Sequence, residues 1–419
     1  MTNKPTYPAS PLATKPFAPT LEGNALIDEA LEAVRTHLNM PIAYLSRFEG
    51  DEMEFRNVSS PDVSTVVKKG DYFPLSEAYC SRIANGTLPN LIRDTADLPL
   101  CQEIDATQAL PIRSHVSLPV TLDDGSLYGM FCCLSPEPNH SLNERDLAVM
   151  SAFANLATRQ VRRENAQNRK DEENRAKIQD ILTSERVTTV LQPIVRLSDN
   201  RMVGVEALSQ FQTADETSTE SVFEIAEAVG LDLDLELLAL SRAIETLDRL
   251  DPDIYLSVNA SPEFICDPRF TGQLPKNGLD RIVIEVTERS LAKDEATFQT
   301  QIANLHTIGA RIAMDDVGVG YSGLQRITMV SPDIIKIDRS LITGLHESLN
   351  QRAMVAALVH FGRETDGLVV AEGVEHPEEV DVIKALGVDL VQGWHFGAPM
   401  DVGELPGHRE PDKSSRLRR

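Results

Sequence analysis

Residues 281–338 read RIVIEVTERSLAKDEATFQTQIANLHTIGARIAMDDVGVGYSGLQRITMVSPDIIKID, and this stretch decides the fold. Three short apolar runs, RIVIEVTE, ARIAMDD and DIIKID, are rich in branched residues and end at acids, which is how buried parallel strands read. Between the first two lies LAKDEATFQTQIANLHTIG, long enough for a helix and closed by Gly309, which can take the left-handed backbone of a helix stop. Strand, helix, strand in that order is a βα unit with a crossover connection.

The rhythm extends outward in both directions. Upstream stand the runs VTTVLQPIV, MVGVEAL and DIYLSVNAS; downstream stand GLVVAEGVE and DLVQGWHF. Helical segments separate most of them: VFEIAEAVGLDLDLELLALSRAIETLDRL, HESLNQRAMVAALVHFG and PEEVDVIKALG. Ser221 and Glu224 have capping-box spacing, and Gly362 and Gly387 are placed as helix stops. Eight strand-like runs predict a (β/α)8 barrel. The first two runs are joined only by RLSDNR, too short for a crossover, so that pair is expected to be antiparallel. The fold class is therefore α/β, a modified (β/α)8 TIM-type barrel with one antiparallel strand.

Such a barrel does its chemistry at the C-terminal ends of its strands. Those ends carry Gln192, Glu206, Asn259, Glu285, Asp315 with Asp316, Lys336, Glu372 and Gln392. Turns are polar, which explains one charged strand end, but not eight with a preference for carboxylates and carboxamides. Acids converging on one mouth repel each other, and hard cations relieve that repulsion. Oxygen-rich ligands favour Mg2+ or Mn2+ over zinc, and Asp315-Asp316 invites two ions sharing a carboxylate. Paired ions suit in-line displacement at phosphorus, and Lys336 supplies a positive charge for the phosphate or the attacking water.

The N-terminal part has a different pattern. LEGNALIDEALEAVRTHLN spaces Leu21, Ala25, Leu26, Ala30, Val34 and Leu38 along one helical face. IAYLSRFEGDEMEFRNV reads as two strands turning at Gly50-Asp51, and HVSLPVTLDDGSLYGMFCCLS as two more around Asp124-Gly125, with a helix from about Asn143. This is an α+β domain with a small antiparallel sheet. The charged stretch ATRQVRRENAQNRKDEENRAKIQDILTSER lacks proline and glycine and predicts a continuous helix, either a solvated connector or a signalling helix that pairs in a dimer.

Bulk properties bound the rest. The chain has 419 residues and a formal net charge of -24, with no basic face for a nucleic-acid backbone, so neither DNA nor RNA is expected as a partner. No apolar run reaches the length of a membrane span, and the proline-rich first twenty residues lack a signal-peptide core, so no membrane is expected either. Five cysteines, Cys80, Cys101, Cys132, Cys133 and Cys266, have spacings that fit neither a disulfide framework nor a zinc site; reduced thiols in a cytoplasm are the expectation. Cys132 and Cys133 share a strand, so one of them is expected in the core. His115 and His140 read as surface or strand-end histidines.

The series QPIV, GVEAL, SVNAS, IEVTE, MDDVGVGYSGL, DIIKIDRSLI, VVAEGVEH and LGVDLVQGWHFGAP resembles, in order and spacing, the motifs of EAL-domain cyclic di-GMP phosphodiesterases over about residues 176–403. LPNLIRDT, SHVSLPVTLDDGSLYGMFCCLS and AFANLATRQV resemble a GAF domain over about 20–160. The layout implied is a disordered lead 1–20, a GAF-like sensor 21–160, a helical linker 161–185, an EAL barrel 186–403 and a tail 404–419. The resemblance implies hydrolysis of cyclic di-GMP to linear 5'-pGpG, with Mg2+ or Mn2+, two ions, as cofactor and a homodimer as the working state. It implies Glu206, Asn259, Glu285, Asp315 and Asp316 as metal ligands, and Lys336, Glu372, Asp316 and Glu206 as catalytic residues. Gln192, Gln210, Gln392 and Glu375 fall on the substrate side, Glu375 as anchor of the loop after Asp316. The sensor's ligand is an unknown small molecule or none.

The sequence also departs from the family pattern. Gln210 stands where an arginine usually reaches a substrate phosphate, and a neutral amide supplies no charge. Val317 and Val319 replace an aromatic and a hydroxyl residue in the loop after the acid pair. Three outcomes stay open: a regulated phosphodiesterase, a cyclic di-GMP receptor that binds without cleaving, and a scaffold that acts only through protein contacts.

Overall fold

The computed structural model describes residues 21–61, 67–104, 107, 112–213, 217–287, 294–318 and 323–406. The lead 1–20, Val319 and Gly320 of the loop, and the tail from 407 lie outside the described residues. The chain divides into two compact units, Met1–Lys170 and Asp171–Arg419.

In the first unit, strands β1 (Ile42–Glu49), β2 (Glu52–Ser59), β3 (Tyr72–Pro74), β4 (Leu91–Ile92), β5 (Ser114–Thr121) and β6 (Leu127–Ser135) form one antiparallel sheet, ordered β3-β2-β1-β6-β5-β4. The turns at Gly50 and Gly125 take positive φ, as the sequence requires of them. Helix Leu21–His37 buries Ile27, Ala30, Leu31 and Val34, a face rotated from the expected one, and leaves Leu26 exposed. The spacing 27-30-31-34 is the tighter i, i+3, i+4, i+7 stripe, and it continues to buried Leu38. Apolar clusters cover both faces of the sheet: Cys132 belongs to one and Cys133 to the other. Both thiols are therefore buried, because a sheet covered on both faces has no wet side. Asp94 caps the following 3-10 turn by accepting from Ala96 N–H and pairs with Arg113 at 2.7 Å. A single helix, Glu144–Ser184, runs unbroken for 41 residues, as its composition predicts.

The second unit is a closed barrel of β7 (Val187–Arg196), β8 (Arg201–Phe211), β9 (Tyr255–Asn259), β10 (Ile282–Thr287), β11 (Arg311–Val317), β12 (Ile334–Ile337), β13 (Leu368–Ala371) and β14 (Leu390–Val391). All eight predicted runs become strands. β7 pairs antiparallel with both β8 and β14, and the other neighbours pair in parallel. Two local expectations shift. The helix Thr219–Ala228 is capped by Ser218, whose hydroxyl accepts from Ser221 N–H, so Ser221 lies inside the first turn. Gly362 lies within helix Leu349–Glu364, where an added Cβ would come 2.7 Å from Val369; close packing, and not a helix stop, requires glycine there. Gly309 and Gly387 do end their helices, at φ 97 and 79.

The strand period of two sorts the barrel lining into layers. The side chains of Ile194, Tyr255, Val283, Ala313, Ile334, Val370 and Leu390 form one apolar cluster. Two residues on from six of these, and two before Ile194, stand Ser257, Glu285, Asp315, Lys336, Glu372, Gln392 and Gln192. The intervening residues, such as Leu256, Ile284, Met314 and Ile335, pack outward with the helices. The barrel is thus plugged with hydrocarbon on one level and polar on the next.

Candidate active site

Lys336 is the centre of the polar layer. It is fully buried, and its Nζ lies 2.7 Å from Glu285 Oε2, 2.7 Å from Glu372 Oε1, 3.1 Å from Asp315 Oδ1 and 3.3 Å from Glu206 Oε2. Strands β8, β10, β11 and β12 and the end of β13 each contribute one of these groups, so the barrel's closure brings together residues up to 166 positions apart, Glu206 to Glu372.

Amides and a hydroxyl fix the carboxylates. Gln392 Nε2 donates to Glu206 Oε2 at 2.6 Å and to Gln192 Oε1 at 2.9 Å. Asn259 Nδ2 donates to Glu206 Oε1 at 3.1 Å. Ser257 Oγ donates to Glu285 Oε1 at 2.5 Å. Glu206 is thereby held at both oxygens before any ligand arrives, which is the preorganisation an active site needs.

The electrostatics follow from burial and from this crowding. Burial works against a charged Lys336, but the four carboxylates, Glu206 foremost, outweigh it and hold its pKa well above the ordinary value. Burial, then the Glu206 charge, pushes Glu285 well up. Glu372 is raised to about 8, chiefly by burial, with Lys336 working against the rise and Asp315 with it. Glu206 is opposed by burial yet ends below its ordinary value, because Lys336, Gln392 and Asn259 stabilise the anion. One ammonium cannot neutralise this many acids, and without a further cation the site takes up protons instead.

A backbone irregularity adds a second carboxylate to the same point. Successive strand residues face opposite ways, yet ligand oxygens of Asp315, Asp316 and Glu372 lie within 4.8 Å of one another. Asp316 makes this possible with a left-handed φ of 57, and the β11–β12 register shifts between Met314 and Val317. This is a bulge, placed where a side chain must be re-aimed.

The remaining expected residues divide. Gln192 and Glu206 face each other within the long β7–β8 ladder and are mid-strand. Since β7 runs opposite to its neighbours, its C-terminal end lies at the far rim, and Gln192 reaches the polar layer from within the strand. Gln210 is exposed, four residues past Glu206 on β8. Glu375 stands outside the cluster, with Arg339 at 3.7 Å. Val317 is buried in the core. Sequence reasoning missed Ser257 and Glu236. Inward alternation along SVNAS would have found Ser257. Glu236 accepts from Ser261 N–H at 2.8 Å and Ser261 Oγ–H at 2.7 Å, fixing the segment after Asn259, and has no comparable signal because it sits on a helix.

The donor set suits a hard divalent cation: carboxylate and amide oxygens, several already oriented, with three converging on one point. Comparisons with known proteins point the same way. The EAL-domain family model matches residues 175–399, and the GAF-domain model matches residues 22–160. An uncharacterized protein of Mycobacterium tuberculosis (strain H37Rv) is 31% identical over 231 residues, covering 51% of this chain and 75% of the relative. The Escherichia coli K12 protein named cyclic di-GMP phosphodiesterase PdeF is 28% identical over 207 residues, covering 47% of this chain and 28% of that protein. Among solved structures, the PaMucR phosphodiesterase in complex with c-di-GMP aligns at a TM-score of 0.51 and 26% identity, covering 56% of this chain and 100% of that one.

Proposed function

This chain belongs to the EAL-domain family, and we propose that its barrel hydrolyses one phosphodiester of cyclic di-GMP to 5'-pGpG under control of its GAF domain. The observation that carries this reading is the convergence of Asp315, Asp316 and Glu372 beside a buried lysine already ringed by carboxylates. Asp315, Asp316 and Glu372 would hold one Mg2+ or Mn2+ ion; Glu206, Asn259, Glu285 and Asp315 would hold a second. Bound there, the ions supply Lewis acidity at the phosphate and lower the pKa of water.

The chain's own residues do the rest. Lys336 keeps a positive charge beside the reacting phosphate and holds Glu285 and Glu372 in place. Gln392 and Asn259 keep Glu206 ionised and oriented. Glu372, raised to about 8 in the cation-free cluster chiefly by burial, would give up its proton as a cation binds and join Asp315 and Asp316 as a ligand. Gln192 and Gln392, paired with each other, offer amide contacts to the substrate. A homodimer is the working state in this reading, with the helix Glu144–Ser184 and the segment after Asp316 as the route of control.

Purified full-length protein with Mg2+ or Mn2+ and cyclic di-GMP tests the proposal. Linear product, lost in Glu206→Gln and Glu372→Gln, is expected. Gln210 favours a second reading, a receptor, because that position supplies no charge to a phosphate. Tight binding by calorimetry with no product under either metal would replace the first reading with the second.

A further inference from the structure

The sensor core holds a polar cluster that the barrel chemistry does not use. His115 on β5 is 0% exposed, and neither ring nitrogen has a hydrogen-bond partner among the described residues. This overturns its reading as a surface residue: it stands at the strand end, as the second residue of β5, but is turned into the core. An imidazole buried with both nitrogens unsatisfied carries a standing penalty unless something ligates it. Cys80, on helix Tyr79–Ala84, and Cys132, on β6, are equally buried, with sulfurs 3.6 Å apart. One ligand atom from each of Cys80, Cys132 and His115 lies within 4.8 Å of the others.

We propose that Cys80, Cys132 and His115 form a transition-metal site in the GAF domain, built for a divalent ion of the zinc class. Two sulfurs held by a tetrahedral ion at ~2.3 Å each sit ~3.8 Å apart, whereas a disulfide brings them to ~2.05 Å. The observed 3.6 Å lies near the former, so the two sulfurs need little movement to share an ion. Charge selects the ion: two thiolates, one neutral imidazole and one M2+ sum to zero, the balance a fully buried site tolerates best. Binding displaces one proton from each thiol to solvent and forms two M–S bonds and one M–N bond, with no change of oxidation state. His115 also lines a small apolar cavity of about 30 Å³ with Tyr44, Tyr79 and Phe55 among others, a space that admits a water-sized ligand beside the cluster. Three protein ligands are one short of the closed set of four that a structural zinc site has.

Ser117 supports the assignment by its place. Its hydroxyl lies 3.0 Å from Cys132 Sγ, and the Tyr44 hydroxyl lies 3.3 Å from Cys80 Sγ. Each sulfur therefore has one O–H able to stabilise a thiolate from outside the ligand set. The sequence concealed the site because its ligands come from three elements separated by 35 and 17 positions, a spacing no zinc motif has.

The test uses full-length protein stripped with chelator and titrated with Co2+. Sulfur-to-cobalt charge-transfer bands should appear with one equivalent and vanish on adding Zn2+. The barrel's oxygen ligands cannot produce those bands, so the readout is specific to thiolates. Cys80→Ser and Cys132→Ser should abolish them and His115→Gln should weaken them, while Cys133→Ser and Cys266→Ser keep them. Absence of the bands in the wild type, or their survival in both Cys80→Ser and Cys132→Ser, overturns the proposal. Should the serine variants fail to fold, alkylation of the wild type during unfolding decides: Zn2+ should protect Cys80 and Cys132 alone, and equal labelling with and without Zn2+ overturns it.

Discussion

The barrel mouth and the sensor core both bury polar side chains, by different means. At the mouth, Lys336 faces Glu206, Glu285, Asp315 and Glu372 at 2.7–3.3 Å, and the charges hold one another in place. In the sensor core, Cys80, Cys132, His115, Tyr44 and Ser117 are neutral groups with weak or absent hydrogen bonds. A charged cluster is mutually dependent: remove one member and the rest are left unbalanced. A neutral cluster loses only packing and one weak contact when a member goes. The mouth should therefore respond sharply to substitution and the sensor core mildly, until a metal couples the sensor's ligands.

The most forceful way to break this comparison is Lys336→Met. In chelator, urea denaturation should show a loss of ~3–5 kcal/mol, and turnover should disappear. Mg2+ or Mn2+ should restore part of the stability but not the turnover; a variant as stable as wild type in chelator would show that the cluster is not charge-coupled. Glu372→Gln sharpens the same side. Its Mn2+ affinity, read by calorimetry, should fall by ~100-fold. On the sensor side, Cys132→Ala in metal-free protein should cost only ~1–2 kcal/mol, the effect of a small cavity. A loss as large as that of Lys336→Met would erase the distinction.

Two smaller effects probe the edges of each region. Gln210→Arg should tighten cyclic di-GMP binding ~10-fold, about 1.4 kcal/mol, with kcat little changed. Unchanged KM would show that this exposed position does not reach the substrate. Asp94 is a charged exception in the sensor. The Arg113 hydrogen bond, then the Ala96 N–H, holds its pKa down to about 2. A folded-state pKa below the unfolded one contributes stability that is present above ~4 and lost as pH falls toward 2. Asp94→Asn should thus lower the melting temperature at pH 6, and the gap from wild type should close in acid.

The barrel was legible because two periodic signals coincide: strand–helix alternation along the chain, and alternation of inward and outward residues along each strand. The ends of the apolar runs are enough to single out the acids, Lys336 and Gln392. What they do not carry is local geometry. Nothing in QPIV announces that Gln192 works from mid-strand on a reversed strand. Asp315-Asp316 signals two carboxylates, but only the backbone at Asp316 tells how both reach one point. The sensor's cluster was invisible for a different reason: cysteine and histidine there belong to runs that read equally well as core. Leu26, Ser221 and Gly362 were each displaced by a residue or a turn, because several neighbouring positions satisfy the same helical rule.

The left-handed backbone at Asp316 also constrains how this sequence can drift. At φ 57 the position tolerates glycine, asparagine or aspartate and resists branched or bulky residues. A lineage that abandoned catalysis while keeping the barrel would be freed from the carboxylate but not from the backbone. Its substitutions at 316 would collect on asparagine and glycine, leaving alanine and valine rare. The residue found there in descendants therefore records separately whether the chemistry was kept and whether the bulge was.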